Sequence, residues 1–426
     1  MKTSHRLAHY LAPRSHYAWV VVAVAFFVML VTAGTRGAPS VLLVPLEQAF
    51  GWSRTDISGA LALNLALFGL MGPFTAAAME RYGLRRTILT ALLLLACCTA
   101  ASSLMHERWH LWLLWGLAVG CTTGATATTF GATVVNRWFK TRRGLAMGIL
   151  TASTATGQLV FLPVLAAVTE RYGWQPVVLL VSLAIILILP PVFFLLPERP
   201  ASLQLRPYGE APDAPLVSAE PHHNPVHLAM AALFRAVKEP VFWLLFFSFF
   251  ICGVSTNGYI GTHFIAMCGD YGFSPVQGAA MLAAIGGLDL IGTTASGWLS
   301  DRYDNRVLLF WYYGLRGLSL IYLPYAFGLG YFGLPVFAVF YGLDWIATVP
   351  PTLRLTIDTF GPKDAPIIFG WIFSGHQLGA ASAALLGGML RNELGNYTVA
   401  TMITGVACLL AAAMVLRIPR TAQAAG

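Results

Sequence analysis

Apolar residues run along this chain in twelve long blocks, at roughly 17–46, 56–78, 87–105, 110–136, 145–168, 174–196, 240–266, 275–299, 307–328, 331–355, 364–390 and 395–418. A helix needs about 20 apolar residues to cross a bilayer core, and each block meets or approaches that length. Stretches such as Ile88–Ala101 and Val177–Leu196 are apolar on every side. Strands of a membrane barrel would alternate apolar and polar residues instead, so the pattern predicts an all-α membrane protein of twelve transmembrane helices. The first block is too long for a cleaved leader, and Arg36 interrupts the region where cleavage would fall.

Composition agrees with the pattern. The chain is 57% apolar and 10% charged, against roughly 25% charged residues in soluble domains. Charge placement predicts orientation. Loops on the side of the termini hold nineteen basic residues, among them Arg81, Arg85, Arg142, Arg143, Arg302 and Arg306, whereas the opposite side holds four: Arg54, Arg108, Arg171 and Arg391. The positive-inside rule then puts both termini in the cytoplasm of a bacterial-type inner membrane. Topology explains the net charge of +8, so no nucleic-acid partner is called for. The six cysteines have no metal or redox spacing and read as small packing residues.

The chain also repeats itself. Glu80, Arg81, Tyr82 and Arg85 return as Asp301, Arg302, Tyr303 and Arg306 at an offset of 221 residues, and Gly51, Ser53, Leu61 and Ala62 return at the same offset. Duplicated apolar units in one membrane chain point to a transporter whose site lies between the halves. The expected organisation is a six-helix bundle over 1–196, a cytoplasmic linker over 197–239 and a second bundle over 240–426. Residues 198–225 read as a flexible linker and Val226–Lys238 as an amphipathic helix on the inner membrane surface. Gly116, Gly120 and Gly124 in span four let helices approach closely; they also offer a smooth face on which bundles could slide.

The loop between spans two and three carries Ala76-x-x-x-Glu80-Arg81-Tyr82-Gly83-x-Arg85-Arg86, copied between spans eight and nine as Gly297-x-x-x-Asp301-Arg302-Tyr303-x-x-Arg306. The acid is expected to pair with a neighbouring helix N-terminus while the arginines hold the cytoplasmic face. Motif and copy resemble the signature of the major facilitator superfamily, which implies alternating access by two rocking six-helix bundles. Trp138-Phe139-x-x-Arg142-Arg143-x-x-Ala146-x-Gly148 is similar to the entry to span five in the monocarboxylate transporters and their oxalate/formate relatives. Arg36 in span one and Asp289 in span eight fall where that branch carries a basic and an acidic residue. The branch often has an arginine one turn after the acid; here Thr293 stands there.

An ionised side chain at mid-membrane costs ~2.5–3.5 kcal/mol, so each needs an account. Arg316 and Asp344 lie equally far from Gly330, the turn expected between spans nine and ten, and are expected to form a structural ion pair; Pro350 and Pro351 would bend span ten and leave a moving role for Asp344 open. Arg36 and Asp289 have no such local partner. At the repeat offset Arg36 matches Asn257, and Asp289 matches Phe68. Charges that break the symmetry of the scaffold are better explained by a ligand than by packing. Arg36 is expected to clamp a carboxylate through paired hydrogen bonds, with snorkelling to the surface as its alternative. Asp289 is expected to carry a proton. Asn64, Asn257, Tyr259, His376 and Gln377 complete the candidate substrate contacts, and His263 is assigned to the membrane interface.

No nucleotide loop, metal cluster or nucleophile arrangement occurs, so neither a cofactor nor enzymatic activity is expected and a gradient drives the chain. The reading is a monomeric secondary transporter of a small organic anion, a monocarboxylate, with a proton. Anion exchange, export of amphipathic compounds and a non-transporting receptor are its rivals.

Overall fold

The computed structural model describes residues 16–126, 128–211, 225–329 and 332–420. Gly330 and the basic residues Lys2, Arg6 and Arg14 therefore lie outside the described set, as do the side chains of Glu80, Arg143 and Lys363. The architecture is all-helical among the described residues. Among the described residues, ten helices are long and apolar enough to cross a membrane. Span one is Ala18–Phe50, span two Arg54–Tyr82, span three Leu84–Ala101, span five Arg143–Tyr172 and span six Trp174–Leu195. Span eight is Pro275–Ser300, span nine Asn305–Ala326 and span twelve Thr398–Val415.

The remaining spans are broken, each for a local reason. Span four runs in pieces from Arg108–Leu111 to Thr128–Trp138, with a wide π turn at Trp112–Val119. Span seven joins Pro240–Gly253 to Gly261–Asp270 through a second π turn, Val254–Ile260, which holds Asn257. Such turns leave the regular ladder locally and are frequent at functional sites. Span ten begins as Leu334–Asp344 and resumes at Val349. The resumed helix passes through Gly361 at φ 77°, a left-handed conformation that glycine adopts without a Cβ clash, so that span ten ends there and span eleven follows to Leu394.

The break in span ten follows from its prolines. Pro350 and Pro351 have no N–H to offer the carbonyls four residues earlier, those of Ile346 and Ala347. The Val349 amide turns to Ile346 instead, at 2.9 Å, and the Ser296 hydroxyl of span eight donates to Ala347. The carbonyls of Asp344 and Trp345 are left for other donors. Gly292 makes this docking possible, because a Cβ there would overlap the Leu343 carbonyl.

Span two packs along span eleven, span five against span eight, and span one against span five. The glycine stripe of span four takes the close-packing reading. Gly120 and Gly124 face Asn64 and Phe68 of span two, where a Cβ would come within 2.9 Å of backbone. The stripe is therefore a tight joint inside the first six spans and not a sliding face between bundles. The amphipathic segment does form a helix, Pro225–Ala236, and Trp371 of span eleven donates to its Ala229 carbonyl at 3.0 Å.

Candidate functional site

Arg36 sits within the first span with its guanidinium carbon 4.9 Å above the ring of Phe68. Among the described residues no carboxylate, carbonyl or hydroxyl accepts from it. The ring face contributes ~0.5–2 kcal/mol of cation–π attraction and engages only the flat side of the guanidinium. Its in-plane N–H donors are left for something else. Phe68 in turn meets Phe373 of span eleven edge-on at 6.4 Å, and Phe373 stacks on His376 at 5.7 Å. Spans one and two are thus linked to span eleven by a row of rings that ends in an imidazole.

His376 and its neighbour Gln377 are both buried. The His376 Nε2 lies 3.4 Å from the Thr256 hydroxyl, while its Nδ1 has no partner. Gln377 is 1% exposed, and neither its amide oxygen nor its amide nitrogen is hydrogen-bonded. It lies so close to span two that a Cβ on Gly69 would overlap its side chain. A buried polar group without a partner costs ~1–3 kcal/mol. Three such atoms fall on two consecutive residues of span eleven, His376 and Gln377.

Asp289 is buried in span eight. Its Oδ1 accepts from the Thr293 hydroxyl and from the Ile346 amide, each at 2.8 Å, so the carboxylate holds the break in span ten. Its Oδ2 has no hydrogen-bond partner among the described residues. Arg316 and Asp344 meet: Nε of the fully buried arginine is 2.8 Å from Asp344 Oδ2. Its other nitrogens donate to the carbonyls of Asp344 and Trp345, to Cys252 Sγ at 3.0 Å and to Ser255 Oγ at 3.4 Å. Asp344 Oδ1 is buried without a partner. No hydrogen bond or ion pair joins Arg36 to Asp289.

Several other candidates have different occupations. Asn64 donates to the Trp115 carbonyl at 2.6 Å, and the Tyr259 hydroxyl bonds the Tyr397 carbonyl and Thr401, so both tie helices within one half. Asn257 is half-buried in the span-seven π turn. His263 is fully buried rather than interfacial, bonded to the Ala384 carbonyl at 2.8 Å and to the Tyr397 hydroxyl at 3.3 Å. In the loop motifs, acids other than Asp301 cap the described helices. Glu198 accepts from the Arg85 amide at the start of span three, and Asp304 caps span nine. Asp301 is exposed and makes no such bond among the described residues. The Arg306 guanidinium beside Asp304 holds that carboxyl below the usual carboxylate range and also donates to the Ile418 carbonyl. Arg302 lies over the Trp298 ring, Arg81 over Tyr82, Arg85 over Phe193 and Arg142 over Tyr208.

A latch that the sequence did not announce closes the end of the bundle opposite those motifs. Arg54, at the start of span two, pairs with Glu47 at 2.9 Å and with both oxygens of Asp270, at 3.2 and 3.3 Å, and donates to the Tyr397 hydroxyl at 3.1 Å. Arg391 completes the cluster through Asp270 at 2.7 Å. Among the described residues, Arg54–Asp270 is the ion pair that joins the first six spans to the last six. Asp270→Asn would leave two guanidiniums facing each other. Loss of charged hydrogen bonds worth ~1.5–3 kcal/mol each should raise the population open at this end about tenfold or more. Labelling of Ser58→Cys, buried beneath the latch against Gly388, by an impermeant maleimide should rise accordingly. Unchanged labelling would show that the latch does not hold the closed state.

Comparisons with known proteins agree with this architecture. The family model of the Major Facilitator Superfamily matches residues 25–364. Monocarboxylate transporter 13 of Bos taurus is 28% identical, over 96% of this chain and 90% of that protein. YcxA, an uncharacterized MFS-type transporter of Bacillus subtilis, is 25% identical over 89% of this chain and 90% of its own. Among solved structures, an inward-facing bacterial homologue of the human lysosomal transporter Spinster superposes with a TM-score of 0.73 at 15% identity, covering 94% of this chain and 96% of that one. The xylose transporter XylE of E. coli gives 0.72 at 13% identity, covering 96% and 99%.

Proposed function

Since this chain belongs to the major facilitator superfamily, we propose that it is a secondary transporter carrying a small monocarboxylate together with a proton across the inner membrane. The observation that carries the reading is Arg36, a guanidinium inside the spans whose face is held by Phe68 and whose hydrogen-bonding edge finds no acceptor among the described residues. A carboxylate matches that edge with two parallel hydrogen bonds. The similarity to monocarboxylate transporters supports the same substrate class.

Alternating access follows from where the groups sit. Arg36 belongs to the first six spans, and His376 and Gln377 to the last six. An anion held by Arg36 and bonded by the unpartnered atoms of His376 and Gln377 would join the bundles 1–196 and 240–426 at mid-depth, with the segment 197–239 linking them. Binding energy realised in the closed arrangement lowers the barrier to rocking. A proton on Asp289 accompanies the anion, so that the loaded carrier crosses with less uncompensated charge. The latch end faces outside and the motif end, with both termini, faces the cytoplasm. One chain contains all of these groups, and the functional unit is a monomer.

The test is uptake by the purified full chain in liposomes, with acetate, lactate, pyruvate and benzoate each supplied under an inward proton gradient. Accumulation of at least one of them, abolished by collapsing the gradient, is the expected result. Uptake that ignores the gradient and requires an internal anion would establish exchange instead. Failure to move any of the four would remove the monocarboxylate assignment.

A further inference from the structure

We propose that the transported proton is held by a three-residue cluster, Asp289, Arg316 and Asp344, and that its loading is read out by the break in span ten. The proposal deepens, and rests on, the reading of Asp289 as proton carrier.

The geometry joins the three residues through one short stretch of backbone. Asp289 accepts the Ile346 amide, while Arg316 donates to the carbonyls of Asp344 and Trp345 and to the Asp344 carboxylate. Spans eight and nine therefore grip the same break from two sides. With both carboxylates ionised the cluster carries one net negative charge, which is unfavourable deep among apolar helices. One proton makes it neutral. An ion pair built only for stability would have both carboxylate oxygens engaged, yet Asp344 Oδ1 is buried and unpartnered, and Asp289 Oδ2 is unbonded as well. Those two oxygens are the places where a proton can add, giving a carboxylic acid from a carboxylate and a proton of the acidic compartment. The reverse step returns it to the other side.

Loading has a mechanical consequence. A carboxylate accepts an N–H about twice as strongly as a neutral carboxylic acid does. Protonation near Asp289 weakens its hold on the Ile346 amide, in a stretch whose own ladder Pro350 and Pro351 have already removed. The two parts of span ten can then change their angle, and span ten leads through Gly361 into span eleven, which carries His376 and Gln377.

Few other titratable groups face the cluster. Span seven contributes Cys252, at 3.0 Å from Arg316, with His263 and Cys268 further along. Tyr313 and Tyr341 flank Arg316, Tyr312 lies on span nine toward Ser296, and Cys408 of span twelve and His376 of span eleven complete the surroundings. Span five, packed on span eight, has no titratable residue between Arg143 and Glu170. Asp289 and Asp344 are the two carboxylates of this set.

The experiment follows uptake against outside pH for whichever of the four monocarboxylates accumulates fastest, with Asp289→Asn run in parallel. In Asp344→Asn the ionised Asp289 and Arg316 already balance, so proton loading should need stronger acid. The midpoint of the pH profile should move down by about one unit or more. In Arg316→Gln/Asp344→Asn, Asp289 again stands alone with one negative charge, and the midpoint should return toward the wild-type value. This double variant also carries the test if Asp344→Asn is not recovered folded. In the wild type, hydrogen exchange of the 344–349 segment relative to its intrinsic rate should rise through the same midpoint. A wild-type midpoint in Asp344→Asn, or a folded double variant without pH dependence, would overturn the cluster. If Asp289→Asn itself still accumulates substrate, the proton role of Asp289 fails whatever Asp344 does.

Discussion

Asp289→Asn is expected to abolish uphill accumulation of the anion while leaving counterflow within a few-fold of the parent. Asparagine has nearly the volume of aspartate, and its amide oxygen can still accept from the Ile346 amide and the Thr293 hydroxyl, both now at 2.8 Å. The break in span ten is therefore kept. What is lost is the group that gains and gives up a proton, and asparagine permanently resembles the loaded, uncharged form. A carrier fixed in that form can exchange substrate across the membrane but cannot draw on the proton gradient. The profile of uptake against outside pH, which should rise toward acid in the parent, should become flat. Accumulation persisting in Asp289→Asn would exclude this residue as the coupling site. Loss of counterflow as well would point to a packing role, and a folding check by thermal unfolding in detergent separates the two.

Arg36→Ala should lower carboxylate uptake, expressed as kcat/KM, by about 30-fold or more. Truncating one partner of a desolvated, hydrogen-bonded charge pair costs ~2–5 kcal/mol, and ~1.4 kcal/mol is a factor of ten. Arg36→Lys should fall between, because an ammonium keeps the charge but cannot present the planar fork or lie flat on Phe68. The comparison also discriminates between functions. An exporter of amphipathic compounds would show dye efflux indifferent to Arg36, and a snorkelling arginine would tolerate lysine without loss. Normal carboxylate transport by Arg36→Ala would remove the clamp.

The fold was legible because lipid imposes a strong rule on sequence. Backbone polar groups must be satisfied inside each spanning segment, so spans show as long apolar blocks, and ten of the twelve predicted blocks match described helices long and apolar enough to cross a membrane. The ion pair of Arg316 and Asp344 was legible too, since two residues equally far from a helical hairpin turn lie at one depth. Less was legible where geometry depends on distant packing. Nothing in the spacing of Arg54, Asp270, Arg391 and Tyr397 announces a cluster, because they come from four separate places in the chain. Asn64 and Tyr259 look like cavity residues in the sequence, yet each has found a carbonyl on a neighbouring helix. Phe68 was marked only as the symmetric counterpart of Asp289. Its contact with Arg36 depends on how spans one and two face each other.

By itself the sequence determined the class of protein, its repeated scaffold and which side chains carry a charge into the membrane. Those properties follow from transfer free energies, which are summed along a segment and need no knowledge of its neighbours. Only the tertiary structure decided which of those charges are matched. Arg316 meets Asp344, Asp289 meets the amide of a broken helix, and, among the described residues, Arg36 meets an aromatic face. Hydrogen bonds act over about 3 Å with directional limits, so a rotation or shift of one helix by a single residue would have reassigned the partners on that helix.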